Sequence, residues 1–292
     1  MKTIEMATFA LVMTLACGCA NSLGDPPPLS DAGNTNDAGA IVPDGGDPFC
    51  DGSSDATAGP GCATESRLVY VVDVNRNLYS FDPQTLQFKP AGKIDCTNSS
   101  LYSMAVDRSA NAWILTQSGT MVRYDIRAQS CTPLSFVTAQ HGFIEFGMGF
   151  ASNSKGSSAE TLYLGSSNAL GLATLDTSTL TVTPVAKFDQ LGGRVELTGT
   201  GDGELYGLFE ATPYVIGGIE KATAKILTQA PQPQTAALNF AFAFWGGDFY
   251  TFVGSDVSRY RPSDKSTVAL TKASFEIVGA GVSTCAPTLP PN

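Results

Sequence analysis

Three glutamates begin short apolar strands of a repeating sequence, and they are the residues best placed to do chemistry. When the first strands of the repeats are aligned on their aromatic residues, matching positions hold Ser103, Glu145, Glu196, Phe240 and Glu276. Carboxylates gathered around one opening raise the pKa of one another and attract a cation or an amine. The sequence therefore predicts a ligand site at Ser103, Glu145, Glu196 and Glu276, which would bind a metal ion, a cationic group or a sugar. The simpler alternative is that each glutamate only begins a strand at a solvated edge.

Paired carboxyls also permit an enzyme, in which one carboxyl donates a proton and the other attacks or activates water. A glycoside hydrolase or lyase of this kind requires two of the three carboxyls within about 10 Å of each other. The aromatic residues Phe240, Phe242, Phe244 and Trp245 alternate as in a buried strand, and we interpret them as core, not as a sugar platform. His141 is the single histidine and lies in a predicted loop, which excludes most catalytic triads and zinc sites. A non-enzymatic module that binds a ligand or acts as a protein-interaction scaffold is therefore favoured over an enzyme, and no catalytic residue is assigned.

Composition restricts the possible partners. The chain has 292 residues, 43% of them hydrophobic and only 15% charged, which is ample for a large core. Its net charge of −10 argues against nucleic acid or an anionic lipid surface as the main partner. Cations, neutral sugars or basic proteins remain as ligands. A monomer without a resident cofactor is expected, although a bound cation at the predicted site is compatible with the sequence.

An aromatic residue in an apolar setting recurs about every 43 residues, with one longer step of about 50. A second marker, usually an acid after an apolar residue, follows each aromatic in the same register and leads into a polar turn, where its side chain caps backbone donors. Repetition at this period is typical of a propeller or a solenoid, because one unit cannot bury its apolar face alone. The aromatic residues are Tyr70, Trp113, Tyr163, Tyr206 and Tyr250, and the second markers are Asp82, Asp125, Asp176, Glu220 and Arg261.

Four strands per unit and the unit length together predict an all-β, five-bladed β-propeller. The first unit lacks its inner strand, while an extra strand at residues 276–281 has the inner-strand pattern. If that C-terminal strand completes the first blade, the ring closes and no sheet edge is left exposed. Small residues in the inner strands fit a narrow axis. The propeller is predicted over residues 64–287, followed by a tail at 288–292.

The N-terminal residues are predicted to export and tether this domain. Residues 1–19 carry a basic start and an apolar run of signal-peptide length. The small residues before Cys17 and Cys19 resemble the lipobox of bacterial lipoproteins, which implies cleavage and lipidation at one of the two. Neither cysteine is followed by aspartate, so the resemblance implies an outer membrane lipoprotein on the periplasmic or surface face. Residues 20–63 are rich in Asp, Gly and Pro and are predicted to form a disordered tether.

The repeats over roughly residues 65–285 resemble the quinoprotein-like and YVTN-like propellers, in which an aromatic strand is followed by a turn such as Asp82-Pro83-Gln84-Thr85. The whole arrangement is similar to uncharacterised bacterial lipoproteins. Propellers of this kind include enzymes, binding modules and scaffolds, so the resemblance implies a fold and no catalytic residue. Only Trp113 and Trp245 are present, without the tryptophan-docking signature or a CxxCH haem site.

An exported chain permits disulfides. Cys62 stands just before the first body strand and Cys285 just after the last, so ring closure predicts that they pair. Cys96 and Cys131 lie on adjacent blades and form the second predicted pair. Pairing of Cys50 with Cys62 is the alternative, because connectivity is not fixed by sequence.

Overall fold

A computed structural model describes residues 61–234 and 237–291. Within these ranges the chain forms twenty β-strands and two short 3-10 turns, Thr64–Arg67 and Gln140–Gly142. The strands are β1 Val69–Asp73, β2 Asn77–Asp82, β3 Gln87–Lys93, β4 Leu101–Val106, β5 Asn111–Thr116, β6 Met121–Asp125, β7 Ser130–Pro133, β8 Phe146–Ser152, β9 Glu160–Ser166, β10 Leu172–Leu175, β11 Val182–Ala186, β12 Val195–Gly199, β13 Leu205–Phe209, β14 Val215–Ile219, β15 Ile226–Pro231, β16 Phe240–Trp245, β17 Asp248–Val253, β18 Asp256–Arg261, β19 Ser266–Lys272 and β20 Ile277–Gly281.

The strands form five antiparallel sheets of four, and this is the predicted five-bladed propeller. Blade 1 has the order β20-β1-β2-β3, so the C-terminal strand supplies its inner edge as the sequence predicts. Blades 2 to 5 each use four consecutive strands, beginning at β4, β8, β12 and β16. Those first strands and β20 contact one another in turn, from β4 around to β20 and back, which closes a ring around a central channel.

Small residues in the inner strands allow neighbouring blades to approach closely. A Cβ added at Gly147 of β8 would lie 2.0 Å from the carbonyl oxygen of Val195, and one at Gly149 would lie 2.8 Å from the carbonyl carbon of Leu197. Contacts this short cannot exist between real atoms, so a side chain at either position would push β8 away from β12. The predicted bias toward small residues near the axis is confirmed.

The hydrophobic core lies between adjacent blades. Phe81 of blade 1 packs edge-on against Phe252 of blade 5, with ring centroids 5.7 Å apart. The aromatic residues of β16, Phe240, Phe242, Phe244 and Trp245, are buried, as expected of a core strand. Predicted turn acids also behave as expected, since Asp176 accepts hydrogen bonds from the backbone of Ser178 and Thr179. Each blade is thus fixed by its neighbours and by capped turns.

Two disulfides confirm the predicted cysteine pairs. Cys62 is bonded to Cys285, with Cα atoms 5.8 Å apart across a separation of 223 residues. Cys96 is bonded to Cys131, with Cα atoms 5.5 Å apart. The first bond excludes the Cys50–Cys62 alternative and fastens the two ends of the ring at one seam. Both bonds indicate that the domain folds in an oxidising compartment.

The predicted signal peptide and most of the predicted tether, with Cys17, Cys19 and Cys50, lie outside the described residues. The end of the predicted tether is already part of the folded domain, because the backbone N–H of Ala63 donates to the carbonyl oxygen of Arg108 at 2.9 Å. Across the part of the chain that the structure describes, no helix is both long and apolar enough to cross a membrane.

Candidate functional site

The strand pairing corrects the alignment of the predicted site residues. Ala105 pairs with the aromatic Trp113, and Thr198 pairs with Tyr206. Ser103 lies two residues before Ala105, and Glu196 lies two residues before Thr198, so Ser103 and Glu196 occupy equivalent positions in their blades. Glu145 and Glu276 come earlier, just before β8 and β20, at the rim of the channel. The expectation that all five residues occupy matching positions is wrong. Glycine or alanine fills the position of Ser103 and Glu196 in the other blades.

Ser103 and Glu196 meet across the central channel. The hydroxyl of Ser103 donates to Oε2 of Glu196 at 2.7 Å, and it accepts a hydrogen bond from the backbone N–H of Met148 at 3.1 Å. Ser103 belongs to blade 2, Glu196 to blade 4 and Met148 to blade 3. The hydrogen bond between Ser103 and Glu196 therefore joins two blades that are not neighbours. A contact of this kind is possible only where the channel is narrow. The Ser103–Glu196 pair therefore forms a floor inside the channel.

Glu196 is almost completely buried, with only 4% of the residue exposed. Burial raises the pKa of its carboxyl to about 8, although the hydrogen bond from Ser103 and the charge of Arg194 act in the opposite direction. The carboxyl is consequently protonated at neutral pH, and it can give up that proton when a positive charge comes close.

A cavity of about 270 Å³ lies above this floor. That volume is near the lower end of small-molecule pockets, which span about 300–1,000 Å³. Glu145 is half-buried at its wall, so the structure brings Glu145 and Glu196 to one opening as predicted. Burial raises the pKa of the Tyr102 phenol, and the charges of Glu196 and Glu145 raise it further. The lining residues are Leu101, Tyr102, Gln117, Glu145, Arg194, Glu196, Leu238, Asn239, Phe240 and Val278.

Arg194 is a cavity residue that the sequence did not single out. Its Nε donates to Glu210 at 2.8 Å and one terminal nitrogen donates to the same carboxylate at 2.7 Å, a bidentate pair. It also donates to the carbonyl oxygens of Leu238 at 2.8 Å and Ala237 at 3.1 Å, and it lies over the ring of Phe240 at 5.0 Å. Glu210 thus neutralises the positive charge of Arg194.

Glu276 is not part of the cavity. It is exposed, and its Oε1 accepts a hydrogen bond from the Asn239 side chain at 2.7 Å. It lines a separate depression with Ser255, Ser274 and Phe275. The three-glutamate rim predicted from the sequence is therefore two carboxyls in one cavity and a third beside it. Within the described ranges, no group of three or more His, Cys, Asp or Glu side chains is arranged to hold a metal ion.

The opposite end of the channel is covered by the residues after β20. The hydroxyl of Thr284 donates to Glu160 Oε2 at 2.7 Å and accepts from Arg108 at 3.0 Å, which joins this segment to blades 2 and 3. The carbonyl oxygen of Thr284 lies against Gly201 of blade 4, and that of Pro287 accepts from the backbone of Gly246 of blade 5 at 2.7 Å. Burial raises the pKa of Glu160 to about 7. We call residues 282–287 the plug segment, and the face they cover the plugged face.

The fold and the site define a five-bladed β-propeller with a plugged face and an open cavity at the other end of its channel. No family model matches the chain, and no curated protein matches it. Among solved structures, a chain described as "Crystal Structure of Mitotic Checkpoint Complex" is 13% identical with a TM-score of 0.41, over 76% of this chain and 68% of that chain. The five-bladed fold follows from the sheets themselves. The hydrolase or lyase alternative stays a prediction.

Proposed function

We propose that this protein is an exported, lipid-anchored binding protein that holds a small ligand in the cavity formed by Tyr102, Glu145, Glu196 and their neighbours. The single observation that carries the proposal is the blind channel. The plug segment covers one face and the Ser103–Glu196 pair closes the interior, which leaves a cavity with polar groups at the other face. Concave sites of this kind, with a few converging polar groups in apolar walls, are typical of ligand binding.

The position of the N-terminal end supports the anchored arrangement. The chain enters the domain on the plugged face, where Cys62 is bonded to Cys285 and Ala63 contacts Arg108. An anchor at Cys17 or Cys19 would therefore be joined to the domain at a point that does not cover the cavity. The two disulfides support export.

Ligand-observed NMR on the full-length chain tests the binding proposal. A panel of sugars, amines, carboxylates and metal ions is compared between the wild-type chain and Gln117→Trp, which places a bulky ring at the exposed edge of the cavity. We expect signals from a bound compound to disappear with Gln117→Trp and to weaken with Glu145→Gln or Glu196→Gln. Glu276→Gln, in the neighbouring depression, should retain binding. Equal binding by the wild type and Gln117→Trp for every compound would contradict the proposal.

Metabolic labelling with a radioactive fatty acid tests the anchor. Because lipid is attached to the cysteine that follows the cleavage site, either Cys17→Ser or Cys19→Ser should abolish labelling and release the chain from the membrane fraction, while the other change should leave both unchanged. Labelling that survives both single changes and the double change would show that the lipidation prediction is wrong.

A further inference from the structure

The charges around the cavity point to the ligand class, an inference that rests on the proposed function. Arg194 is engaged by Glu210 through two short hydrogen bonds, so this pair contributes little net charge. Glu145 and Glu196 lie on the cavity without a basic side chain of their own among the lining residues, apart from that neutralised Arg194. The cavity thus offers acidic groups to a ligand.

The environment of Glu196 strengthens this preference. Tyr102 faces it from β4, Glu145 from the segment before β8, and Arg194 with Glu210 from its own blade. From the side of β16, Asn239 and Phe240 line the cavity and carry no charge. A carboxyl with so little exposure is poorly solvated, and its charged form needs a partner.

The walls limit what kind of cation fits. Leu101, Leu238, Phe240 and Val278 provide apolar surface around the two carboxyls, with Tyr102 between. A metal ion usually requires several hard oxygen ligands, and the described residues provide no group of three acidic or metal-binding side chains here. An ammonium group on an apolar body satisfies both parts of the lining, because its N–H groups donate to carboxylates while its stem contacts the walls.

We propose that the cavity binds small primary amines in their ammonium form, with Glu196 as the buried counter-ion at the floor and Glu145 as a second carboxylate at the wall. Binding exchanges one cation for another. The ammonium enters, the Glu196 carboxyl releases its proton to solvent, and the resulting carboxylate accepts a hydrogen bond from the ammonium. Ser103 keeps Oε2 in place through its hydroxyl and is a positioning residue.

This exchange predicts a pH dependence. Burial raises the pKa of Glu196 to about 8, so below that pH each amine bound releases about one proton. Affinity should rise about tenfold per pH unit up to about pH 8 and then level off, as long as the amine itself stays protonated. A neutral ligand of the same shape should show no such slope.

Calorimetry on the full-length chain tests the proposal with 2-phenylethylamine as the probe, 2-phenylethanol as its neutral match and calcium chloride as the metal. Titrations in two buffers of different ionisation enthalpy count the protons released. Nα-acetyl-lysinamide, whose one free amine is that of a lysine side chain, is titrated in the same series. Comparing its affinity with that of 2-phenylethylamine distinguishes a small free amine from a lysine side chain of a protein as the ligand. Glu196→Gln should lower amine affinity about 30-fold or more and remove the pH slope, because it leaves the ammonium without its buried counter-ion.

Glutamine has the shape of the protonated carboxyl and can still accept from Ser103, so Glu196→Gln should fold. Glu204→Gln, an exposed glutamate on the plugged face, is the matched control and should leave amine binding unchanged. Equal binding of the alcohol and the amine, insensitive to Glu196→Gln, overturns the ammonium inference.

Absence of amine binding while another compound binds in a Gln117→Trp-sensitive manner also overturns this inference, but it leaves the proposed function intact. If no compound responds to Gln117→Trp, both proposals fail.

Discussion

At the scale of single residues, Glu196 is the least expected feature of the molecule. A carboxyl in the narrowest part of a channel would normally be a liability, because burial disfavours its charged form. The hydrogen bond from Ser103 relieves only part of that cost. Four of the five blades place glycine, alanine or serine at the equivalent position, so the axis does not require a carboxyl there. Its presence in blade 4 fits a functional role better than a packing role.

The buried carboxyl predicts a pH-dependent stability. Burial raises the pKa of Glu196 to about 8 in the folded chain, from the usual 4.5 of an exposed glutamate. The stability that the folded chain has with this carboxyl protonated is therefore fully present below about pH 4.5 and is lost as the pH rises through 8. The free energy of unfolding of the wild type, measured by urea titration, should fall relative to Glu196→Gln by up to about 1.4 kcal/mol per pH unit between these limits.

Glu160 is unchanged in both chains, so its own raised pKa cancels in this comparison. Glu204→Gln, which removes an exposed carboxylate, should follow the wild-type pH profile. Parallel profiles for the wild type and Glu196→Gln between pH 5 and 8 would contradict a raised pKa at this position.

At the scale of elements, the plug segment is short and irregular, yet it joins four blades. Thr284 is central, since its hydroxyl bridges the Glu160 carboxylate and the Arg108 guanidinium. Replacement by valine keeps the shape and removes both hydrogen bonds. Because buried polar partners are then left unsatisfied, Thr284→Val should lower the free energy of unfolding by about 1–3 kcal/mol in urea.

Thr288→Val, at a half-buried threonine a few residues further along, is the matched control and should change stability much less. If the two substitutions have equal effects, the bridge through Thr284 contributes nothing specific.

Much of the element arrangement could be predicted from the sequence, because a repeated aromatic and a repeated turn acid report the second and third strands of each blade. The inner strands were harder to align. The hairpin between the inner strand and the aromatic strand differs in length from blade to blade, because Tyr206 pairs with Thr198 in blade 4 whereas Tyr163 pairs with the more distant Gly149 in blade 3. Counting back from the aromatic residue therefore does not reach equivalent positions of the inner strands.

The role of Arg194 and the Ser103–Glu196 bond could not be predicted for a different reason. The bond joins residues 93 positions apart on blades that are not neighbours. Only the diameter of the closed ring brings them within reach, and that diameter depends on the packing of all five inner strands. Arg194 stands close to Glu196 in sequence, which is a usable signal, but its pairing with Glu210 depends on the exact register of the β12–β13 hairpin, in which the backbone N–H of Glu210 donates to the carbonyl oxygen of Arg194 at 2.8 Å.

At the scale of the whole molecule, closure is the feature on which the cavity depends. β20 pairs with β1 and fills the gap between blades 5 and 2, and Cys285 fastens the same segment to Cys62. In the chain-entropy treatment, a bond across so long a loop contributes about 5 kcal/mol. Strand pairing and the disulfide therefore join the ring at the same seam. The spacing of the inner strands that form the cavity walls depends on this closure.

Truncation at this seam should separate ring closure from the rest of the fold. Removal of residues 274–292 deletes β20 and the plug segment, leaves the inner edge of β1 unpaired and exposes the apolar residues beneath it, so the chain should unfold or aggregate. Removal of residues 288–292 alone keeps β20 and Cys285 and should give a monomer with wild-type circular dichroism. Size-exclusion chromatography and thermal melts compare the two chains. A monomeric, cooperatively melting product of the longer truncation would mean that four complete blades suffice, and that the C-terminal strand is not what holds the channel together.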